Sequence, residues 1–215
     1  MGWNRARYRF TGTTEGDLAP GSVGVERRRR IVTELPWTWL RQAHGCDVAV
    51  VERPGQHAGA RADAAVTAVP GSALGVLAAD CAPVVLLGEE AVGVAHVGWR
   101  GLVAGVVATT VEALGRLRPG PVRAVIGPCI RPPCYAFSPG DLEVVAATVG
   151  DGVRASTLDG RPALDLPGGV RAALAAAGVE DCDDTDVCTA CSSHHWSHRR
   201  DASAERQALV AWLDR

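Results

Sequence analysis

Lysine is missing altogether from the 215 residues; all 22 basic side chains are arginine. Its absence removes the phosphate lysine of a Walker-type loop, the Schiff-base lysines of pyridoxal enzymes and class I aldolases, and every lysine general base. Also missing are G-x-S-x-G, G-x-G-x-x-G, H-E-x-x-H, and an H-x-E paired with P-C-x-x-C. The usual serine-hydrolase, dinucleotide, zincin and zinc-deaminase chemistries therefore have no place to sit. The six histidines include no H-x-H pair, which leaves too few soft and imidazole donors in one place for a multi-copper cluster. No long apolar stretch is free of charge, proline or glycine. The opening Met1-Gly2-Trp3-Asn4-Arg5-Ala6-Arg7 lacks the apolar centre of a secretion signal. The expected location is the cytoplasm, with no membrane association and no protein partner implied.

The composition that remains is 47 % apolar and 21 % charged with a formal charge of −2, as in soluble globular domains. A chain of this length buries roughly 70 % of its unfolded surface, so neither disulfide nor metal is needed merely to hold a core. The one basic run, Arg27 to Arg30, has no aromatic residues interleaved with it; it reads as a solvated face, and nucleic acid is not an expected partner. Seven cysteines in a reducing compartment are core residues, ligands or a nucleophile rather than a disulfide framework.

Neither a fixed-period repeat nor a long linker occurs, so residues 1–215 are expected to form one domain. Strands are expected at 48–52, 73–79, 83–87, 91–96 and 122–127, with a polar loop from Pro54 to Arg61. After Gly98-Trp99-Arg100-Gly101 a helix should bury Val103, Val106, Val107, Thr110, Val111, Leu114 and Leu117, which follow the three-four spacing of one face. Further helices are expected at 140–149 and 167–178, the second ended by Gly178. A short strand is placed near 185–188 and a loop from Cys191 to Asp201. The apolar segment 207–213 fits strand or helix. Irregular alternation with adjacent strand pairs predicts an α+β fold, a layered sandwich of mixed sheets flanked by helices.

Three reactive residues occupy glycine-punctuated or strand-end positions: His44 in Gln42-Ala43-His44-Gly45, Cys81 in Ala79-Asp80-Cys81-Ala82-Pro83, and His96 in Ala95-His96-Val97-Gly98. Two imidazoles and one thiolate are the donors of a catalytic zinc site that keeps its fourth position open. The same residues also suit a cysteine nucleophile activated by histidine. An isolated buried cysteine or a satisfied core histidine is the commoner fate of either residue type.

A rival cluster joins Cys188-Thr189-Ala190-Cys191 to Cys182, His194, His195 and His198, as in a zinc knuckle, although a second C-x-x-C is lacking. Cys129 and Cys134, in a proline-rich loop, read as pocket wall. Arg100 opens a helix whose free N–H groups, including those of Gly98 and Gly101, would favour phosphate. Arg199, in Ser197-His198-Arg199-Arg200-Asp201, offers a second cationic site or a simple ion pair.

Taken in order, these stretches resemble the laccase-domain, multicopper polyphenol oxidase or YfiH-like family, associated with purine nucleoside phosphorylase activity. Gln42 to Gly45 is similar to the family's Q-V-H-G, and residues 62–87 to A-D-A-x-V-T…A-D-C-x-P-V-L-L. His96 to Gly101 is similar to H-A-G-W-R-G, residues 126–135 to I-G-P-C-I…C-Y, Leu164 to Leu166 to L-D-L, and residues 187–200 to C-T…F-S-x-R-R. The resemblance spans about residues 40–210.

The resemblance implies that His44, Cys81 and His96 hold zinc, with copper as the alternative, and carry catalysis beside Asp80. It implies small-molecule chemistry: phosphorolysis of adenosine, inosine and methylthioadenosine, deamination of adenosine, phenol oxidation with copper, or peptidoglycan editing. A scaffold that binds nucleoside without turnover is a further reading. Departures fall mainly within residues 1–40, where Gly21 to Arg28 replace the family's S-L-N-L-G segment. Glu205 stands for a glycine, and His195-Trp196 for the usual aromatics.

Overall fold

A computed structural model of the chain describes residues 5–214, so Met1 to Asn4, which open the segment read for a secretion signal, lie outside the described residues. In chain order the elements begin with β1 (Ala6–Phe10), α1 (Val25–Val32), β2 (Trp37–Trp39), β3 (Val48–Val51), β4 (Ala64–Thr67) and β5 (Ala73–Ala78). They continue with β6 (Ala82–Leu87), β7 (Val92–Val97), α2 (Trp99–Ala104), α3 (Val106–Leu117), β8 (Arg123–Ile126) and α4 (Pro139–Val149). The last are β9 (Arg154–Ser156), β10 (Pro162–Leu164), α5 (Leu166–Ala176), β11 (Cys182–Asp184), α6 (His198–Asp201) and β12 (Gln207–Leu213).

Six strands form one mixed sheet in the order β11-β8-β6-β7-β4-β3, and four form another in the order β1-β12-β5-β2; β9 and β10 make a small antiparallel pair. Side chains alternate across a strand, and here that alternation divides two cores. In β6, Val84 and Leu86 pack with Leu102, Val106 and Leu114 of the helical layer, whereas Val85 and Leu87 pack with Leu74, Val76 and Leu209 of the second sheet. A third cluster of Leu18, Val32, Trp37 and Val210 lies on the far side of the four-stranded sheet, under α1. The result is the expected α+β layering: helix, sheet, sheet, helices.

Most of the expected elements are present with shifts of a residue or two. The helix expected from Gly98 onward is divided at Gly105, whose φ of 87° lies in the left-handed region that glycine tolerates. That break re-aims α2 relative to α3 while keeping Val106, Val107, Thr110 and Leu114 buried. The strand near 185–188 is found earlier, at β11, where it pairs in parallel with β8; Cys188 contributes only an isolated bridge to Cys129. Segment 207–213 is a strand because it lies between β1 and β5 and is covered on both faces, which removes the alternation that marks a strand.

The arginine run is only partly solvated. Arg29 is 3 % exposed, and its guanidinium lies 5.7 Å from the Trp37 ring centre and 5.0 Å from that of Trp39. Both tryptophans belong to the next element, β2, so nothing within the run itself marks the stacking. Among the described residues, no helix is long and apolar enough to cross a membrane.

Candidate functional site

Three chain segments meet at one end of the six-stranded sheet. His96 is the penultimate residue of β7, Cys81 directly precedes β6, and the register sets Pro83 opposite His96. His44 arrives on the loop between β2 and β3. Its imidazole Nε2 is 3.8 Å from Cys81 Sγ, and the His44 and His96 ring centres are 4.9 Å apart at 67°. One ligand atom from each of the three lies within 4.8 Å of the others. Tertiary structure thus brings the sequence-derived trio together.

Asp63 organises this meeting. It is 1 % exposed, and its carboxylate accepts the N–H groups of Ala43, His44 and Gly45 at 2.8–3.0 Å. The same carboxylate pairs with His96 Nδ1 at 2.9 Å. Burial alone would raise its pKa, but the hydrogen bonds from His96, Ala43 and Gly45 bring it down to about 2. With Nδ1 engaged, Nε2 of His96 is the nitrogen left for the site, an arrangement found behind metal-ligating histidines. Asp63 falls in the stretch 62–87 that resembles the family's A-D-A-x-V-T, but its role has no local signature, because the loop it braces is about 20 residues away and His96 over 30.

Around the trio the backbone is strained and tight. His44 has φ 58° and Asp80 φ 97°, conformations that cost of order 1–3 kcal/mol each in a residue with a Cβ. Asp63 holds the first through its backbone hydrogen bonds. The second is held on both sides: the Asp80 carbonyl accepts from Ile130 N–H at 2.9 Å, and its carboxylate accepts from Thr189 Oγ1 and Arg199 N–H, both at 2.6 Å. The Asp80 carboxylate therefore ties β6 to the C-terminal segment. Beneath the trio, a Cβ on Gly98 would stand 2.8 Å from His44 Cδ2 and 3.0 Å from Cys81 Sγ. Only a residue without a side chain lets those groups converge.

Desolvation would push the Cys81 thiol up, yet the charge of His96 and the hydrogen bond from His44 lower it to about 6. For His96, burial opposes protonation, and the Cys81 thiolate and Asp63 overcome it, raising the pKa to about 9. Each group thus favours the charged form of the other. The site also meets the demands of a soft divalent cation, since two imidazoles and a sulfur converge over a glycine with a carboxylate behind one ring.

The trio lies in a cleft of about 680 Å³, rimmed by Arg41, Arg100, Arg199 and Arg206, with Asp80 as its sole acidic lining residue among the described residues. Arg100 is exposed and stacks 4.4 Å from the Trp99 ring centre at the start of α2. Arg199 stacks 4.9 Å from the Tyr135 ring and donates to the Ala136 carbonyl at 2.7 Å. Gly98 caps α2, and Gly101 is buried against the Gly45 carbonyl, 3.2 Å from where its Cβ would stand. The N-terminal segment contributes Ala19 and Pro20 to the wall, held by Asp17, whose carboxylate accepts from Ala19 and Arg206 N–H.

Fold and site together define a layered α+β protein with a cationic cleft over two histidines and a cysteine. The family profile described as multi-copper polyphenol oxidoreductase laccase matches residues 12–214, and the chain belongs to that family. It is 43 % identical over 208 residues to a purine nucleoside phosphorylase of Streptomyces coelicolor, covering 94 % of this chain and 82 % of that one. It is 36 % identical over 221 residues to a purine nucleoside phosphorylase of Xylella fastidiosa, with coverages of 94 % and 84 %. Among solved structures, YfiH of Bacillus licheniformis superposes with a TM-score of 0.87 at 23 % identity, over 99 % of this chain and 94 % of that one. YlmD of Geobacillus stearothermophilus gives 0.85 at 25 % identity, over 99 % and 93 %.

Proposed function

We propose that this chain is a zinc-dependent purine nucleoside phosphorylase acting on adenosine, inosine and methylthioadenosine in the cytoplasm. The observation that carries the reading is the convergence of His44, Cys81 and His96 in a cleft whose lining, among the described residues, holds four arginines and a single carboxylate, Asp80. The names of the relatives support it. Phosphorolysis breaks the bond from the base to the sugar C1′ as a phosphate oxygen bonds to C1′, and the base departs with a proton. The reaction needs an anion held on one side of the sugar and the base held on the other.

Arg100 and Arg199 are the residues assigned to phosphate, since both guanidiniums are carried on aromatic rings at the cleft rim and present donors to an anion. Gly98 and Gly101 keep the backbone low enough for the phosphate and the trio to share the space. Trp99 and Tyr135 supply the flat apolar walls that a purine would stack on. His44, Cys81 and His96 would hold the zinc, which when bound supplies Lewis-acid charge for the departing or attacking group. Asp63 keeps His96 turned to the site, and Asp80 acts as a positioning residue through Thr189 and Arg199 rather than by touching substrate.

The test is incubation of purified protein with inosine and phosphate, following hypoxanthine and ribose 1-phosphate. Turnover should depend on phosphate and fall to background in Cys81→Ala; equal turnover by that variant would remove the assignment. Release of inosine from adenosine in the same assay reports deamination. The 3.8 Å approach of His44 Nε2 to Cys81 Sγ favours a second reading, a Cys81 hydrolase of amide bonds such as those of cell-wall precursors. Chelation separates the two, silencing the phosphorylase and sparing a thiol hydrolase. Copper-dependent phenol oxidation would instead require oxygen uptake with a phenol and a visible copper band.

A further inference from the structure

The C-x-x-C motif near the C-terminus is not used by the cleft, and the structure gives it a different third partner from those expected. Cys182 lies in β11, and neither it nor His194, His195 or His198 joins Cys188 and Cys191. Instead Cys134, expected as pocket wall, brings its Sγ to 3.1 Å from Cys191 Sγ, and the sulfurs of Cys134, Cys188 and Cys191 all lie within 4.8 Å of one another. All three are free thiols, and the first two are half-buried.

The backbone around them has the form of a metal knuckle. Cys188 to Ser192 closes as a turn, with the N–H groups of Cys191 and Ser192 both donating to the Cys188 carbonyl at 3.2 and 3.0 Å. Arg200 fastens the turn from outside, its guanidinium donating to the carbonyls of Thr189 and Ser192 at 3.1 and 2.8 Å. Three sulfurs tetrahedrally placed at about 2.3 Å from zinc are about 3.8 Å from one another. The Cys134–Cys191 pair is closer than that at 3.1 Å, and all three sulfurs lie within 4.8 Å, so small side-chain rotations reach it.

We infer that Cys134, Cys188 and Cys191 form a second metal site, a thiolate site for zinc or a similarly soft divalent cation, separate from the His44–Cys81–His96 trio. Its donor set is purely sulfur, so it selects soft cations against magnesium or calcium. Loading displaces the remaining thiol protons to solvent as the sulfur–metal bonds form. The core does not need this site; the metal would fasten two loops, 127–135 and 187–192, that among the described residues are otherwise paired only at the isolated Cys129–Cys188 bridge. Those loops carry Tyr135, in the cleft wall, and Thr189, the hydroxyl donor to Asp80. The site stands whether or not the cleft performs phosphorolysis.

The test uses the full chain with His44→Ala and Cys81→Ala combined, which dismantles the trio and leaves the three sulfurs intact. Purified under reducing conditions without chelator, this variant should retain about one zinc per chain. Cobalt put in its place should give the near-ultraviolet charge-transfer absorption of thiolate ligands. In the unaltered chain, zinc should slow alkylation of Cys134, Cys188 and Cys191 by roughly tenfold or more, read peptide by peptide by mass spectrometry, a protection measurement that needs no further variant. Adding Cys191→Ser should abolish the cobalt band. Absence of zinc from the double variant together with unprotected cysteines would overturn the site. So would recovery of a Cys134–Cys191 disulfide from protein kept in a glutathione buffer of cytosolic poise, since oxidised sulfurs cannot ligate.

Discussion

Asp63 is the residue on which the candidate site turns, because one carboxylate holds both the His44 loop and the His96 ring. Asp63→Asn keeps the shape and removes the charge. Metal affinity and turnover should fall by about 10–100-fold, measured by zinc titration and by the inosine assay. Without metal, the His96 pKa should drop from about 9 toward the ordinary imidazole range, read by NMR of the ring protons. The same group shapes acid stability. Its pKa is depressed to about 2 in the fold, so it stabilises the protein above its unfolded value of about 3.9, and that contribution is lost as pH falls toward 2. Urea midpoints of the parent and Asp63→Asn should therefore differ most above pH 4 and converge near pH 2. Gly98→Ala makes a separate demand, for its methyl would enter the space of His44 Cδ2 and Cys81 Sγ. The expected outcome is loss of bound zinc and of activity with little change in the circular dichroism of the fold.

At the scale of elements, Gly105 and Arg29 make contrasting cases. A Cβ at Gly105 meets no atom within 4 Å, so Gly105→Ala isolates the backbone term alone. At φ 87° that substitution should cost about 1 kcal/mol in urea unfolding, with the helix break preserved and the cleft unchanged. Arg29 is a packing residue despite its charge: α1 lies on the four-stranded sheet partly through its guanidinium against Trp37 and Trp39. Arg29→Ala should destabilise by about 2 kcal/mol through the lost cation–π contacts and stem packing. A neighbouring substitution, Arg30→Ala, on the exposed side of α1, should remain within about 0.5 kcal/mol of the parent in the same assay.

Across the whole molecule, the two sheets share one buried face, and the cleft lies where loops from both sheets meet the C-terminal segment. Leu209 is fully buried in β12, packed in the cluster between the sheets. Leu209→Ala should cost about 2–5 kcal/mol in chemical denaturation, and a single cooperative transition should report both sheets together. The N-terminal segment belongs to this assembly as well: Asp17 links Ala19, in the cleft wall, to Arg206.

Local pattern and residue chemistry sufficed for β3, β5, β6, β7 and β8, for the α+β class and for the three reactive residues. They left 207–213 open between strand and helix and gave no sign of β1, where Arg7 and Arg9 disguise an edge strand, of the short β2, or of β4, whose small side chains give no alternation. Tertiary structure alone decided what is held together across long separations. Asp63 faces His96 across a strand pair, Arg29 finds tryptophans beyond its own helix, and Cys134 meets a C-x-x-C more than 50 residues away. The physical reason is that which side chains come to face one another is set by how the layers pack, and nothing in the residues beside Asp63, Arg29 or Cys134 encodes which partner that is.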